Sequence, residues 1–261
     1  MKKPADNSNH EHMLLRTNLK LLRLPTISSE FEKLAREAAT ANQSFAQYLL
    51  RLTELEVAAR QTNALKTRIK NATFPVIKDL DNFDFSAIAS LNKQKVIELT
   101  RPAWIDEHFN ACLVGNSGTG KTHVALGLSL AVCRAGKRVR FFTAASLVNQ
   151  LESAQKQYQL ERFLGKLDKV DLLVCDELGY LSFSRAGAEL LFQVFAERYE
   201  RRSVMITSNL PFGEWDQVFH GERMTAALLD RFTHRCHIFE MNGPSYRFKE
   251  SVKNAKPKNK S

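Results

Sequence analysis

The chain has few cysteines, no long apolar run and no apolar leader, and each absence excludes a class of protein. Its four cysteines are scattered over 261 residues and never form a C-x-x-C pair. This excludes a zinc ribbon or a disulfide scaffold and favours a reducing compartment. No stretch approaches the ~18 uninterrupted apolar residues of a membrane span, and the polar amino terminus lacks the apolar core of a secretory signal. We therefore expect a cytoplasmic protein with no membrane partner.

Charge is unevenly distributed along a chain of otherwise globular composition. Apolar residues make up 44% and charged residues 25%, which excludes a disordered or fibrous chain. The net charge is +10, and residues 1–72 hold 12 Lys and Arg against 7 Asp and Glu. Residues 246–261 hold 6 against 1, while residues 73–245 hold 20 against 20. The pattern suggests a neutral core with basic ends that meet a polyanion, or a solubilising bias at frayed ends.

The first 72 residues are predicted to form a small helical domain. Residues 1–12 are polar and expected to be disordered, and the leucines between Met13 and Leu24 predict a short helix that stops before Pro25. Ser29-x-x-Glu32 has the form of a capping box that begins a second helix. Ser44-x-x-Gln47 has the same form and begins a long third helix.

Four cations lie towards the end of the third predicted helix. They are Arg60, Lys66, Arg68 and Lys70. Cations in a last turn favour the helix dipole, but this set extends over more than one turn. It therefore favours a face that binds an anion such as DNA.

The rest of the chain has the pattern of an α/β domain. Pro75 and the acidic stretch 79–84 break the helical pattern, so we predict a linker and the start of the second domain over 73–107. We place the core of that domain at 108–248 and a basic disordered tail at 249–261. Short apolar runs alternate with helical patterns, which predicts a parallel five-stranded sheet between helices. The predicted strands are Phe109–Val114, Val139–Phe142, Leu172–Cys175, Val204–Thr207 and His237–Phe239.

A phosphate-binding pattern follows the first of these strands. Gly115-Asn-Ser-Gly-Thr-Gly-Lys-Thr122 fits G-x-x-x-x-G-K-[ST] and precedes a helix predicted from about Gly120 to Arg134. Glycines let the backbone N–H groups face phosphate oxygens, and the helix N-terminus adds partial positive charge. We expect Lys121 to reach the β- and γ-phosphates of ATP and Thr122 to bind Mg²⁺. The residues expected to contact the nucleotide are Gly115, Asn116, Ser117, Gly118, Thr119, Gly120, Lys121, Thr122 and His123.

Two acids directly follow a buried strand. In Leu172-Leu-Val-Cys-Asp-Glu177, Asp176 is placed to hold Mg²⁺. Glu177 is placed to polarise an attacking water, which is typical of a hydrolase. The alternative is a strand end followed by a solvated turn residue.

The next predicted strand runs into Ser208 and Asn209. A polar residue at the carboxyl end of a parallel strand lies at the ligand crevice, so Asn209 could bond the γ-phosphate or the water. A later amphipathic stretch carries Arg223, Arg231 and Arg235, any of which could stabilise charge on the γ-phosphate from a neighbouring subunit or be a surface arginine.

Together these motifs resemble the AAA+ ATPases of the initiator and helicase-loader clade. The P-loop, the Cys-Asp-Glu strand, Thr-Ser-Asn209 and Leu-Leu-Asp-Arg-Phe232 are most similar to the IstB-type transposition helpers, with DnaC-type loaders as relatives. The resemblance implies that Arg231 is an arginine finger acting in trans, so the active form is a homo-oligomer with ATP at its interfaces. It implies that Asn209 is the sensor 1 residue and suggests a sensor 2-like role for Arg247. Only 21 residues follow Glu240, too few for a C-terminal helical lid.

The segment Thr143–Lys169 has room for two helices. In initiator-type ATPases an extra helix here lines a DNA-facing surface, a role that Lys156, Arg162, Lys166 and Lys169 could serve. The alternative is a solvated helix face.

The resemblance implies an ATP- and Mg²⁺-dependent helper of transposition. Such a protein assembles on double-stranded DNA, recruits or activates a transposase encoded alongside it, and associates with the nucleoid. The alternative is a DnaC-like helicase loader whose amino-terminal domain grips a helicase. A small-acceptor kinase is disfavoured by Glu177 and the basic ends, and a DNA-binding module with a relic P-loop by the intact set of site residues.

Overall fold

A computed structural model describes residues 5–246, which fall into two compact units that divide between Thr67 and Arg68. The helices are α1 (Ala5–Leu21), α2 (Pro25–Thr40), α3 (Phe45–Ala72), α4 (Lys93–Glu98), α5 (Ala103–Asp106), α6 (Lys121–Arg134), α7 (Ala144–Lys156), α8 (Leu160–Asp168), α9 (Arg185–Arg198), α10 (Asp216–Phe219) and α11 (Glu222–His234). The strands are β1 (Asn110–Val114), β2 (Val139–Thr143), β3 (Leu172–Leu178), β4 (Ser203–Ser208) and β5 (Cys236–Glu240). Short 3-10 turns lie at Leu80–Asn82, Phe85–Ala87 and Phe212–Glu214. None of the helices in this part of the chain has the length and apolar character needed to cross a membrane.

The first unit packs α1, α2 and most of α3 around a small apolar core. That core consists of Leu19, Ile27, Phe31, Leu34 and Leu52. The expectation of disorder up to residue 12 was wrong over the described part, because α1 already begins at Ala5. A helix that includes the leucine-rich segment can continue through polar residues, because its hydrogen bonds are made by the backbone.

The start of α2 also differs from the prediction. The helix begins at Pro25 rather than at the Ser29 capping box, since proline has the φ angle of a first helical turn and needs no N–H partner. The Ser44 box is confirmed. The Ser44 N–H donates to Gln47 Oε1 at 2.9 Å and the Gln47 N–H donates to Ser44 Oγ at 3.3 Å.

The second unit is built on one parallel five-stranded sheet in the order β2-β3-β4-β1-β5, as predicted from the apolar runs. Strand β4 lies between β1 and β3. The residues that follow β1, β3 and β4 therefore meet at one edge of the sheet, because parallel strands end on the same side. Strands β1, β3 and β4 are buried along most of their length, which explains why they lack polar–apolar alternation.

The structure confirms the helices predicted around this sheet. Helix α6 follows the P-loop and ends before Gly136, which has a φ of 97°. The segment between β2 and β3 forms two helices, α7 and α8. The division inside α3 lies a few residues before the boundary predicted at residue 72. The predicted tail 249–261 and Arg247 lie outside the described residues.

Candidate functional site

The P-loop joins β1 to α6 through a backbone that only glycine adopts easily. Gly118 and Gly120 have φ angles of 79° and 88°, and a Cβ on Gly118 would come within 2.2 Å of Ser245 Oγ. Lys121, the first residue of α6, donates through Nζ to the carbonyls of Gly115 at 2.6 Å and Asn116 at 2.8 Å. The lysine ammonium therefore lies inside the loop, beside the helix N-terminus that attracts anions.

Asp176 and Thr122 form a hydrogen-bonded pair between β3 and α6. The Thr122 hydroxyl is 3.0 Å and 3.1 Å from the two carboxylate oxygens of Asp176, and Asp176 is 3% exposed. Burial raises the pKa of Asp176 above its ordinary value, although hydrogen bonds from Thr207 and Thr122 act in the opposite direction. An ionised carboxylate here is poorly solvated and would be stabilised by a cation.

The donor set fits Mg²⁺ that arrives with a nucleotide. The described residues contain no group of three or more His, Cys, Asp or Glu side chains arranged to hold a metal. Mg²⁺ is commonly held by one or two protein oxygens, with phosphate and water completing its shell. One hydroxyl and one buried carboxylate beside a phosphate-binding loop meet that requirement.

A cleft of about 620 Å³ opens between the P-loop and the ends of β3 and β4. Glu177 and Asn209 are exposed and line it. Most of the residues predicted to contact the nucleotide line it too, namely Ser117, Gly118, Thr119, Gly120, Lys121, Thr122 and His123. Gly115 and Asn116 are not among the lining residues, and their carbonyls accept the hydrogen bonds of Lys121.

Part of this cleft comes from the segment 73–107, which was predicted to be a linker and the start of the second domain. Phe83 lines the cleft, and its ring makes edge contacts with Phe85 and His123 at centroid distances of 4.9 Å and 5.2 Å. His123 Nε2 lies 3.0 Å from the Asp79 carbonyl. Apolar walls suit a nucleobase. The signal in the sequence was the pair of phenylalanines at the end of the acidic stretch, Phe83 within it and Phe85 directly after it.

Tyr246 and Thr207 also line the cleft and were not predicted to do so. The Tyr246 N–H donates to the Gly118 carbonyl at 3.0 Å, so the segment after β5 contacts the P-loop directly. Thr207 had been considered only as the end of an apolar strand.

The three candidate arginines have different surroundings. Arg231 is exposed and lines a separate depression beside Tyr199 instead of its own P-loop cleft. Arg223 is also exposed. Arg235 donates to the Glu107 carbonyl at 3.3 Å and lies 5.3 Å from the Phe109 ring centroid, so it is bound within its own chain.

The candidate DNA-binding cations divide into two groups. Arg60 Nε donates to Glu56 at 2.8 Å, and Arg68 Nε donates to the Cys133 carbonyl at 2.9 Å. Within residues 5–246, the other candidates are exposed and make no ion pair, and these are Lys66, Lys70, Lys156, Arg162, Lys166 and Lys169.

The sequence of the chain also matches a known protein family. Residues 17–254 match the model of the IstB-like ATP binding protein family. The chain belongs to that family. The resemblance inferred from the sequence motifs is therefore confirmed.

Relatives of similar length support the assignment. The chain is 37% identical over 229 residues to the insertion sequence IS5376 ATP-binding protein of Geobacillus stearothermophilus, covering 88% of this chain and 91% of the relative. It is 34% identical over 244 residues to the insertion sequence IS21 ATP-binding protein of Pseudomonas aeruginosa, covering 94% and 91%. The AMPPCP-bound DnaA of Aquifex aeolicus superposes with a TM-score of 0.53 at 23% identity, covering 69% of this chain and 56% of that one. This likeness confirms the predicted α/β AAA+ fold.

Proposed function

We propose that this IstB-like protein binds ATP with Mg²⁺ in the P-loop cleft and hydrolyses it. The observation that carries the proposal is that Lys121 and Thr122 of α6 and Glu177 of β3 line one cleft, and that Thr122 is hydrogen-bonded there to the buried Asp176. A family described as ATP-binding and a fold shared with an AMPPCP-bound protein support it.

Each residue has a defined role in that reaction. Lys121 and the P-loop N–H groups bind the phosphates, while Thr122 and Asp176 would hold Mg²⁺. When bound, the ion neutralises charge that develops on the phosphate oxygens. Glu177 accepts a proton from the attacking water, and Asn209, in the sensor 1 position, orients that water or the γ-phosphate by a hydrogen bond.

Two substitutions separate binding from hydrolysis. Lys121→Ala removes the cation inside the loop and should abolish ATP binding measured by calorimetry. Glu177→Gln keeps the shape of the cleft and should bind ATP while turning over at least ~100-fold more slowly. Glu214→Gln, at an exposed carboxylate outside the cleft, is the matched control. If Lys121→Ala leaves ATP affinity unchanged, the P-loop assignment is wrong. If Glu177→Gln turns over ATP at the normal rate, a residue other than Glu177 accepts the proton of the attacking water.

The biological setting proposed for this activity is transposition. The relatives are named as insertion sequence proteins, which supports a helper that oligomerises on double-stranded target DNA and recruits or activates a transposase encoded alongside it. Arg231 is exposed and lies outside its own cleft, and this placement supports a role in the site of a neighbouring subunit.

The helicase-loader alternative has weaker support. It rests on a fold shared with replication proteins at low identity, and fold alone does not specify function. Reconstitution with the adjacent transposase separates the two. A transposition helper should stimulate strand transfer only with ATP, and Lys121→Ala should remove that stimulation. A protein that leaves strand transfer unchanged but loads a hexameric helicase onto DNA would be a loader.

A further inference from the structure

The two acids of the site lie in a bulge of the sheet. Strands β3 and β4 pair Cys175 with Ile206 and then Leu178 with Ser208, with a shift of register between them. Asp176 and Glu177 therefore lie opposite a single residue of β4, which is Thr207. An extra residue on one strand changes the direction of the side chains next to it. This bulge is what lets consecutive residues serve one site in two different environments.

The backbone of the bulge is held in an uncommon conformation. Glu177 has a φ of 61°, in the left-handed region that side chains other than glycine seldom occupy. Such a conformation persists only when its surroundings stabilise it. Asp176 consequently faces the buried side and Glu177 the cleft.

The Thr207 side chain connects both acids. Its hydroxyl accepts a hydrogen bond from the Glu177 N–H at 3.0 Å and donates one to Asp176 Oδ1 at 2.5 Å. Thr207 is 1% exposed, so water is not at hand to replace either bond. A hydroxyl has one proton to donate and lone pairs to accept, and both functions are used here.

We propose that Thr207 is a positioning residue for ATP hydrolysis, because its hydroxyl fixes the bulge that directs Asp176 towards the metal position and Glu177 into the cleft. The inference rests on the proposed function. It extends that function to a buried residue whose hydroxyl is used by its bonds to the two acids, so that it acts through them.

Isosteric substitution tests this role. Thr207→Val keeps the branched shape and removes both hydrogen bonds, whereas Thr207→Ser keeps the hydroxyl. Ser208→Ala is the matched control, because Ser208 is equally buried and its hydroxyl bonds the Leu178 carbonyl at 2.8 Å instead of an acid. The measurements are kcat at saturating ATP, the Mg²⁺ concentration for half-maximal rate, and ATP affinity without Mg²⁺.

Thr207→Val should lower kcat and raise the Mg²⁺ requirement by about 10- to 100-fold, as is typical when a partner of a metal ligand is removed. ATP affinity without Mg²⁺ should stay within a few-fold of wild type, because the P-loop is unchanged. Thr207→Ser keeps the hydroxyl, so its kcat and its Mg²⁺ requirement should both be close to those of the wild type. Wild-type kcat and Mg²⁺ dependence in Thr207→Val, or a Thr207→Ser variant as impaired as Thr207→Val, would overturn the inference.

Two further controls keep the test decisive. If Thr207→Val does not fold, Thr207→Ala offers the same loss of hydroxyl in a smaller side chain, and it is compared with Thr207→Ser by the same criteria. A wild-type protein that fails to hydrolyse ATP would contradict the proposed function itself. A failure confined to the Thr207 variants would contradict only the positioning role.

Discussion

Asp171 and Asp176 lie at the two ends of the apolar part of β3, and their surroundings shift their pKa values in opposite directions. Asp171, just before the strand, accepts hydrogen bonds from the Arg138 N–H at 2.8 Å and from its guanidinium at 3.0 Å and 3.2 Å. Burial raises the pKa of Asp171, but the bonds from Arg138 outweigh it and hold the pKa below its ordinary value of 3.8. Burial dominates at Asp176 and leaves its pKa raised.

The two shifts have opposite effects on stability. A raised pKa means that folding favours the protonated acid, so the stability contributed by Asp176 is greatest at low pH and is lost as pH rises through its folded pKa. A lowered pKa means that the contribution of Asp171 is present above 3.8 and is lost as pH falls through its folded pKa.

Asp176→Asn should therefore stabilise the nucleotide-free protein at pH 7 while abolishing Mg²⁺-dependent ATP turnover. An asparagine keeps an acceptor for the Thr207 hydroxyl and removes the buried charge, so the unfolding midpoint should rise, by about 2–4 °C for each kcal/mol of stability gained. Asp171→Asn should lower the midpoint at the same pH. Calorimetry across pH 4–8 checks both, and an Asp176→Asn variant less stable than wild type would contradict the assignment of its pKa shift.

The sequence predicted both acids of the site and their separate roles, but not that one is buried and the other lies in a left-handed turn of a bulge. Their order after an apolar strand was sufficient to place them at the edge of the sheet. The burial of Asp176 depends on α6 and β4, and the turn of Glu177 depends on Thr207, which is 30 residues away in the chain. Contacts of that kind have no local signature.

At the scale of secondary-structure elements, Glu56 on α3 caps a different helix. Its carboxylate accepts the N–H groups of Thr26 at 2.8 Å and Ile27 at 3.2 Å, at the start of α2, where backbone donors lack helical partners. Burial raises the pKa of Glu56, but hydrogen bonds from Arg60, Ile27 and Thr26 prevail and lower it.

Glu56→Ala should destabilise the amino-terminal unit by about 1–3 kcal/mol, since it leaves the buried N–H of Ile27 and the part-buried N–H of Thr26 without an acceptor. Glu54→Ala, on the exposed side of the same helix, should have little effect. Hydrogen exchange at Thr26 and Ile27 in the full chain is the local measurement. Faster exchange in Glu56→Ala alone is expected, and equal protection in both variants would rule out the cap.

This cap explains why the start of α2 was mispredicted. The Ser44–Gln47 box was recognisable because both partners lie within one turn, whereas Glu56 is distant in sequence from the donors that it binds. Glu32, assigned to the Ser29 box, instead pairs with Arg16 at 2.9 Å. The segment around Phe83 was predicted as a linker and the start of the second domain, but its place in the cleft was not foreseen, because that place comes from packing against α6.

At the scale of the whole molecule, the structure separates the cations proposed to contact DNA into those with partners in the protein and those without an ion pair among the described residues. Arg60 and Arg68 have partners within the protein, so replacing them would also change folding. The clean probes are the exposed pair Lys66 and Lys70 and the exposed α7–α8 set of Lys156, Arg162 and Lys166.

Alanine substitution of either set should weaken binding to double-stranded DNA and reduce the salt slope of log affinity by about one for each phosphate that is no longer neutralised. Sequence preference should stay weak, because cations on phosphates position a protein without reading bases. Lys33→Ala combined with Lys95→Ala removes two charges elsewhere and is the control. Fluorescence anisotropy against salt gives the slopes. If the alanine variants of both sets have the same DNA affinity and the same salt slope as that control, these cations do not bind DNA.

ATP turnover by mixtures of Arg231→Ala and Glu177→Gln tests most directly whether ATP is hydrolysed at an interface between subunits. Each variant alone should be at least ~100-fold slower than wild type. In an equal mixture, random assembly pairs an intact Arg231 with an intact Glu177 of its neighbour at about one interface in four. We therefore predict recovery to about a quarter of the wild-type rate. A mixture that co-assembles, as shown by mass photometry, yet stays as slow as the single variants would contradict a shared site.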